Sequence, residues 1–227
     1  MKYDFAIIGS GIIGLTLAFK LKQKFNNSKI TIFEKEPNST SHGSGRNSGV
    51  LHSGIYYEPG SLRANLCVTG AKELKEYIKS ENLWINECGK LLLPTSEYSY
   101  SNLENLFNRA KKNGVEINKI KNEEIKRIEP NTNCQFEYGL HVPFTSVADP
   151  KEVSKSLIEN LRKMNVEINY NFKILKINEQ KLFTQNNTVE AGHIFNCAGL
   201  FADEIAKNSN LESVSYTHLT LPTNREV

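Results

Sequence analysis

The sequence holds two groups of residues whose types and spacing could do chemistry, and the first is a run of glycines near the amino terminus. Gly9, Gly11 and Gly14 stand in the spacing G-x-G-x-x-G, and Glu34 follows Gly14 by 20 residues. Glycine at these positions permits a tight turn, a close approach of backbone to a pyrophosphate, and close packing of a helix. A carboxylate at that distance can accept hydrogen bonds from a ribose diol and repels a 2′-phosphate. The pattern predicts a dinucleotide site and disfavours NADP.

The second group is the stretch "SGRNSGVLHSGIYYEPGS", residues 44–61, which combines glycine and serine with His52 and the pair Tyr56–Tyr57. Backbone N–H groups and small hydroxyls are suited to wrap a phosphate or to lie against a planar ring. Imidazole can take a proton from a hydroxyl group near neutral pH. His52 is therefore a candidate base; the alternatives are a loop histidine satisfied by backbone and a tyrosine pair that only packs.

The elements that must position these residues form a strand, a helix and a second strand. Residues 3–8 are nearly all apolar, residues 12–25 have a helical pattern, and residues 29–33 form a second strand that ends at Glu34. Strand, glycines, helix, strand and acid in register predict a βαβ nucleotide unit. That unit alone does not separate FAD from NAD. The long polar loop of residues 35–60 favours FAD, because an NAD dehydrogenase would usually continue soon with another helix and strand.

Composition excludes several classes of protein. The charged fraction of 23% and the hydrophobic fraction of 39% are ordinary for a globular protein, and a formal charge of +3 does not suggest a nucleic-acid partner. The apolar run of residues 5–19 is too short to span a bilayer, and Asp4 argues against the rival reading as a signal peptide. We therefore expect a cytoplasmic protein. Widely spaced cysteines predict neither a metal site nor a disulfide framework: Cys67, Cys88, Cys134 and Cys197.

Beyond residue 44 the sequence resembles a known family. The stretch "GRNSGVLHSGIYYEPGSLRANLCVTGAKELKEY", residues 45–77, closely resembles the L-2-hydroxyglutarate dehydrogenases/oxidases. These FAD enzymes belong to the larger family of D-amino-acid oxidase, glycine oxidase and glycerol-3-phosphate dehydrogenase. "GLHVPFTSVADP", residues 139–150, is a looser match because of Phe144 and Ser146, and "HIFNCAGLFADEIA", residues 193–206, resembles a later FAD-contacting segment. The resemblance runs from residue 3 to about residue 208.

The resemblance implies which residues bind FAD. Residues 46–49 would lie on the flavin-facing loop, with Ser53 near the isoalloxazine ring. Ile174 would give backbone hydrogen bonds to adenine, and Gly199 and Asp203 would close on the pyrophosphate and ribityl side. The implied cofactor residues are Gly9, Gly11, Ile12, Ile13, Gly14, Glu34, Lys35, Arg46, Asn47, Ser48, Gly49, Ser53, Ile174, Ala198, Gly199 and Asp203.

The same resemblance implies the reaction, which is oxidation of an L-2-hydroxy acid, with L-2-hydroxyglutarate as the first choice, to the 2-oxo acid. Hydride would pass to the flavin while His52 takes the hydroxyl proton, and Tyr56 would lie near the substrate. Arg63 is the local candidate to hold a substrate carboxylate, because arginine binds carboxylates in a bidentate manner. Its alternative is simple surface exposure. A quinone, met at the inner face of the membrane, or oxygen would accept the electrons.

The mixed order of the middle elements predicts the domain organisation. We expect an α/β fold: a FAD-binding Rossmann-like (βαβ) domain with an inserted α+β substrate domain and a missing C-terminal part. Residues 1–80 would begin the FAD-binding domain, residues 81–145 belong to the substrate domain, and residues 146–210 return to the FAD-binding domain. A helix over residues 61–79 is expected to turn Leu62, Leu66, Leu74 and Ile78 inward.

The end of the chain and the rival functions complete these expectations. "SVSYTHLTLPTNREV", residues 213–227, resembles a translated sequencing adapter, so we expect residues 211–227 to be a non-native tail; the alternative is a divergent but genuine terminus. The chain itself could then lack activity. The rivals are a related flavin oxidoreductase that acts on an amino acid or glycerol phosphate, a nucleotide-binding fragment without catalysis, and an NAD dehydrogenase.

Overall fold

The structure is a computed structural model that describes residues 2–209. Its strands are β1 (Lys2–Ile8), β2 (Ile30–Phe33), β3 (Val50–Leu51), β4 (Ile85–Asn86), β5 (Lys90–Leu92), β6 (Asn118–Ile120), β7 (Gly139–Val142), β8 (Ser146–Ala148), β9 (Glu167–Asn169), β10 (Lys176–Asn178), β11 (Lys181–Phe183) and β12 (Thr188–Asn196). Its α-helices are α1 (Ile12–Lys24), α2 (Leu62–Ser80), α3 (Glu97–Lys112), α4 (Asn122–Ile128), α5 (Pro150–Lys163) and α6 (Ala202–Asn208). Among the described residues, 2–47 and 150–209 form one compact unit and 48–149 form a second.

The first unit is built on a six-stranded sheet in the order β10-β11-β12-β1-β2-β9. The four strands β12, β1, β2 and β9 are parallel, whereas β10 and β11 pair antiparallel with their neighbours. Ala6 and Ile7 of β1 are fully buried, as expected for a parallel strand covered on both faces. Helix α1 connects β1 to β2 and packs on α5. The predicted α/β fold with its βαβ unit is therefore confirmed.

The second unit contains two three-stranded antiparallel sheets, in the orders β3-β8-β4 and β5-β7-β6. Helix α3 begins at the Ser96 cap and packs against β7. One apolar core is formed by the loop after β3, by α3, by the segment between α3 and β6, and by β7. Its residues are Ile55, Leu103, Ala110, Val115, Ile117, Leu140 and Val142. These mixed strands and helices match the α+β arrangement predicted for the inserted segment.

The two units divide the chain at different places from the predicted domains. The sequence predicts that residues 48–80 belong with the nucleotide domain, whereas the structure counts them with the second unit. The reason lies in two pairings: β3 joins the sheet of β8, and Lys75 of α2 bonds Glu87 and the Phe144 carbonyl. The tail predicted for residues 211–227 lies outside the described residues.

Helix α2 corrects one expectation. Leu62 and Leu66 were expected to face inward, but their side chains are 73% and 63% exposed. The prediction for this helix was right for Ile78, which is fully buried, and wrong for Leu62 and Leu66, because the buried stripe of α2 consists of Ala64, Ala71, Lys75 and Ile78. Leu74 is half-buried. A lysine can occupy a buried stripe when its amine finds partners. Lys75 Nζ donates to Glu87 Oε1 at 2.9 Å and to the Phe144 carbonyl at 3.0 Å, partners that helical periodicity does not reveal.

The Glu87 carboxylate lies between two amines, and this arrangement predicts a pH dependence of stability. Hydrogen bonds from Lys79 at 2.7 Å and Lys75 at 2.9 Å lower the pKa of Glu87 from its ordinary 4.5 to about 2. Because the folded-state pKa is depressed, the stabilisation is fully present above about pH 4.5 and is lost as the pH falls toward 2. We expect Glu87→Gln to flatten that part of the curve of unfolding free energy against pH, measured by urea denaturation.

Glu116 provides the matched control for this measurement, because its side chain is exposed in the same unit. Glu116→Gln should leave the acid limb of the stability curve parallel to that of the unchanged protein. Parallel curves for Glu87→Gln as well would contradict a stabilising role for the carboxylate.

Candidate cofactor site

The first unit contains a cavity of about 580 Å³ at the carboxyl ends of β1 and β2. Its lining residues come from the ranges 8–13, 33–35, 40–46, 172–175 and 197–208. Ligands of open α/β sheets bind outside the carboxyl ends of the strands, and this cavity occupies that position. The glycine motif and Glu34 therefore meet at one cavity, as their spacing predicted.

The turn from β1 into α1 tolerates only glycine at two positions. Gly9 has a φ of +101°, and a Cβ there would lie 2.5 Å from the Cys197 carbonyl oxygen. At Gly14 a Cβ would lie 2.0 Å from the Gly9 carbonyl oxygen, inside any allowed contact. A Cβ at Gly11 would approach Ser44 Oγ at 3.1 Å. The chain thus passes through this turn with bare backbone on the cavity side.

The amino terminus of α1 presents N–H groups at the same cavity. The cap residue, Gly11, has no side chain to bond the first turn, and the first turn holds no acidic residue. Ile12 N–H donates to Ser44 Oγ at 3.0 Å, so a later loop supplies part of the missing cap. The remaining N–H groups and the positive end of the helix dipole favour an anion such as a pyrophosphate. Ser44 was missed as a functional residue, since only the folded loop brings it here.

Glu34 is held rigidly at the cavity wall. Its side chain is buried, with 7% of the residue surface exposed. Ser10 donates to Oε2 through both N–H and hydroxyl, each at 2.8 Å, and Glu36 N–H donates to Oε1 at 2.9 Å. A carboxylate has about four acceptor positions. The remaining position, on Oε1, can accept one ribose hydroxyl, which agrees with the predicted role of Glu34.

A cluster of charged and aromatic side chains lies beside Glu34. Lys35 Nζ stands 3.3 Å from the centroid of the Phe201 ring, and His42 meets the edge of the same ring. His42 Nε2 bonds Glu36 Oε1 at 3.0 Å. This bond, together with Lys35, holds the pKa of Glu36 below its usual value. Lys35, His42 and Phe201 all line the cavity and offer a cation and flat rings to a planar ligand.

The structure brings most of the predicted cofactor residues of the first unit to the cavity. Those that line it are Gly9, Gly11, Ile13, Glu34, Lys35, Arg46, Ile174, Ala198 and Gly199. Ile174 is buried in the extended segment just before β10. Asn47 bonds the carbonyls of Gly43 and Ser44, and Asp203 pairs with Lys207 at 3.0 Å. Four of the predicted residues of this unit do not line the cavity: Ile12, Gly14, Asn47 and Asp203. The roles of all the predicted residues at the cofactor stay predictions.

The other predicted site residues belong to the second unit, where a small cavity of about 20 Å³ is lined by residues 52–57, Lys90 and Thr145. We call it the Tyr56–Lys90 cavity. Tyr56 OH accepts a hydrogen bond from Lys90 Nζ at 2.7 Å. The cavity brings together His52, Ser53 and Tyr56, whereas the Arg63 guanidinium lies 5.5 Å from the Tyr57 ring and does not line it. Ser48 and Gly49 lead into β3, and Gly49 has a φ of +69°.

Comparison with known proteins decides the family. Residues 4–227 match the family model described as DAO, FAD dependent oxidoreductase. The chain belongs to this family of FAD dependent oxidoreductases. Its cofactor is FAD, and the glycine turn, the α1 amino terminus and Glu34 fit the pyrophosphate and ribose of that cofactor. The alternative of an NAD dehydrogenase is thereby set aside.

Two curated relatives within the DAO family are named L-2-hydroxyglutarate dehydrogenase. The protein from Escherichia coli O17:K52:H18 (strain UMN026 / ExPEC) is 34% identical over 215 residues, covering 92% of this chain and 50% of the relative. The mitochondrial protein of Dictyostelium discoideum is 39% identical over 185 residues, covering 78% and 41%. The chain spans about half the length of the curated relatives that it matches.

A solved structure that is similar to this chain has the same fold. The dithionite-reduced L-α-glycerophosphate oxidase of Mycoplasma pneumoniae, with FAD bound, matches this chain with a TM-score of 0.82 at 27% identity. The match covers 92% of this chain and 57% of that protein.

Within residues 2–209 the side chains form neither a metal-binding cluster nor a disulfide. Among residues 2–209 no group of three or more His, Cys, Asp or Glu side chains is placed to hold a metal ion. All four cysteines are free, and burial raises the pKa of the Cys67 and Cys197 thiols. No helix in this part of the chain is long and apolar enough to cross a membrane.

Proposed function

We propose that the protein oxidises an L-2-hydroxy acid to the 2-oxo acid in an FAD-dependent reaction. The substrate we propose is L-2-hydroxyglutarate. The observation that carries this proposal is the name shared by the curated relatives. The relatives that match 92% of this chain are named L-2-hydroxyglutarate dehydrogenase. The cavity at the carboxyl ends of β1 and β2 supports it, because its glycine turn, the α1 amino terminus and Glu34 suit the pyrophosphate and ribose of FAD. The substrate is a small molecule.

The residues of the chain divide the work of binding and proton transfer. The turn at Gly9 and the α1 amino terminus bind the pyrophosphate, and Glu34 binds a ribose hydroxyl. When bound, FAD supplies the acceptor for the hydride that leaves C2 of the substrate. The hydroxyl proton leaves to a base on the protein, and C2 and its oxygen become a carbonyl group.

We assign His52 as the base that accepts the hydroxyl proton. Its side chain is exposed, and no residue among 2–209 hydrogen-bonds its ring, so a ring nitrogen is available to accept a proton. The backbone of His52 is restrained by Cys67, whose Sγ donates to the His52 carbonyl at 3.3 Å. Tyr56 lines the same small cavity and supplies a hydroxyl close to this base.

The electron acceptor and the location are part of the proposal. We infer a cytoplasmic protein, on the support of four free thiols, which are typical of a reducing compartment. Electrons would pass to a quinone at the inner face of the membrane or to oxygen. Reoxidation of the reduced protein by a soluble quinone, compared with reoxidation by oxygen alone, separates the two acceptors.

Anaerobic titration tests the substrate. The chain is loaded with FAD, and L-2-hydroxyglutarate is added while the visible flavin absorption is followed. We expect this absorption to bleach and 2-oxoglutarate to appear in equal amount, with no bleaching by D-2-hydroxyglutarate. Bleaching by glycerol 3-phosphate or by an L-amino acid in its place would assign a different substrate class. A chain that binds FAD but is bleached by none of these compounds would support the non-catalytic alternative.

A further inference from the structure

The Tyr56–Lys90 cavity contains a cation that no described carboxylate neutralises. Lys90 Nζ donates to Tyr56 OH at 2.7 Å and also lies 4.7 Å from the centroid of that ring. Among residues 2–209, no Asp or Glu pairs with Lys90, and none lines the cavity. The phenol is a neutral partner, so the positive charge of Lys90 remains available to an anion.

A buried hydroxyl without a partner lines the same cavity. Thr145 is only 3% exposed, and within the described chain its Oγ1 has no hydrogen-bond partner. A buried hydroxyl without a hydrogen-bond partner is energetically unfavourable. A ligand that hydrogen-bonds to the hydroxyl would explain its presence. The free volume of about 20 Å³ accommodates one group of about the size of a water molecule. An oxygen of a small anion satisfies this size and this chemistry.

The cavity wall is fixed by contacts from behind. Arg109 Nη1 donates to the Tyr56 carbonyl at 3.0 Å. Asn113 Nδ2 donates to the carbonyls of Gly54 and Tyr57 at 3.0 and 2.9 Å. The carboxyl end of α3 and its cap residue thus hold three carbonyls of one short turn, so the backbone that carries Tyr56 is fixed. Pre-organised groups bind a ligand with little further ordering cost.

We propose that Lys90 and Thr145, with Tyr56 OH, bind the carboxylate attached to the hydroxyl-bearing carbon of the substrate. The inference rests on the proposed function, and it adds the residues that select a 2-hydroxy acid. His52 lines the same small cavity, so a carboxylate bound here lies one carbon from a hydroxyl that His52 can deprotonate. Lys90 replaces Arg63 as the anchor of this group, since Arg63 does not line the cavity.

Binding of product-like acids to the FAD-loaded chain tests the proposal by calorimetry, without turnover. The probes are 2-oxoglutarate and 2-oxobutyrate, which share the carboxylate in question, and the methyl ester of 2-oxobutyrate, which lacks its charge. Lys90→Gln is expected to lower the affinity for both acids by about tenfold to a hundredfold, which is the range for a hydrogen bond to a charged group. The weak binding of the ester should stay unchanged. Lys112→Gln, an exposed lysine of the same unit, serves as the matched control.

Thr145→Val supplies a second, independent readout. It removes a buried hydroxyl that has no protein partner, so the melting temperature of the ligand-free chain should rise, while the affinity for 2-oxobutyrate should fall. A merely structural Thr145 would raise stability and leave the affinity unchanged, which would overturn its part in the subsite.

Several results would overturn the assignment of Lys90. They are equal affinities in Lys90→Gln and Lys112→Gln, a loss confined to 2-oxoglutarate, and a chain that binds neither acid. A loss confined to 2-oxoglutarate would place the distal carboxylate here. The proposed function fails separately, when the acids bind as expected but L-2-hydroxyglutarate does not bleach the flavin.

Discussion

Replacing Gly14 with alanine is expected to abolish FAD binding and to destabilise the first unit. The new Cβ would lie 2.0 Å from the Gly9 carbonyl oxygen and 3.3 Å from Ile7 Cγ2. The turn cannot yield, because Gly9 already has a φ of +101° and itself packs on the Cys197 carbonyl. Forcing an extra methyl group into such a place costs about 3 kcal/mol, the upper end of the usual range for overpacking. The dissociation constant for FAD should rise more than about a hundredfold, measured by titration of flavin fluorescence.

Gly43→Ala is the control for this substitution. Gly43 lines the FAD cavity, and a Cβ there would meet no atom within 4 Å. We expect its FAD affinity and melting temperature to match those of the unchanged chain. If Gly14→Ala bound FAD as tightly as Gly43→Ala, the close approach of α1 to β1 would not be what shapes the pyrophosphate site.

Replacing His52 with asparagine is expected to lower the rate of flavin reduction by L-2-hydroxyglutarate about a hundredfold to ten-thousandfold, because an amide cannot take the hydroxyl proton. Binding of FAD should change little, since His52 does not line the cofactor cavity. Anaerobic stopped-flow spectroscopy at saturating substrate measures the rate of bleaching directly.

His193→Asn is the matched control for the base, because His193 is exposed and lines neither cavity. Added imidazole should restore part of the rate in His52→Ala, as an external base would. An unchanged rate in His52→Asn would show that another group accepts the proton.

The nucleotide unit could be predicted because its determinants are local in sequence. Gly9, Gly11 and Gly14 stand on one turn and one helix start, and Glu34 ends the next strand, so spacing alone places them together. Ser10 and Ser44, which bond Glu34 and the α1 amino terminus, were not predicted. A serine in a loop gives no periodic signal in the sequence. Its hydrogen-bond partner depends on which segments the folded chain brings together.

The second unit was less predictable, for a physical reason that α2 illustrates. Leu62 and Leu66 suggested an inward face, but an amphipathic pattern does not say which apolar side chains find a partner. Lys75 can be buried because its amine donates hydrogen bonds to Glu87 and to the Phe144 carbonyl. The Tyr56–Lys90 cavity was missed for the same reason, since the chain places Thr145 far from Tyr56 in sequence.

The parallel pairing of β1 with β12 has a consequence for the order of events during synthesis. It aligns Lys2 with Glu190 and Ile8 with Asn196, contacts of very large sequence separation. The first strand therefore waits for almost the whole described chain before its hydrogen bonds on that edge can form, and such long-range pairing folds slowly. The turn at Gly9, which lies against the Cys197 carbonyl, can therefore take its final shape only after β12 has paired with β1.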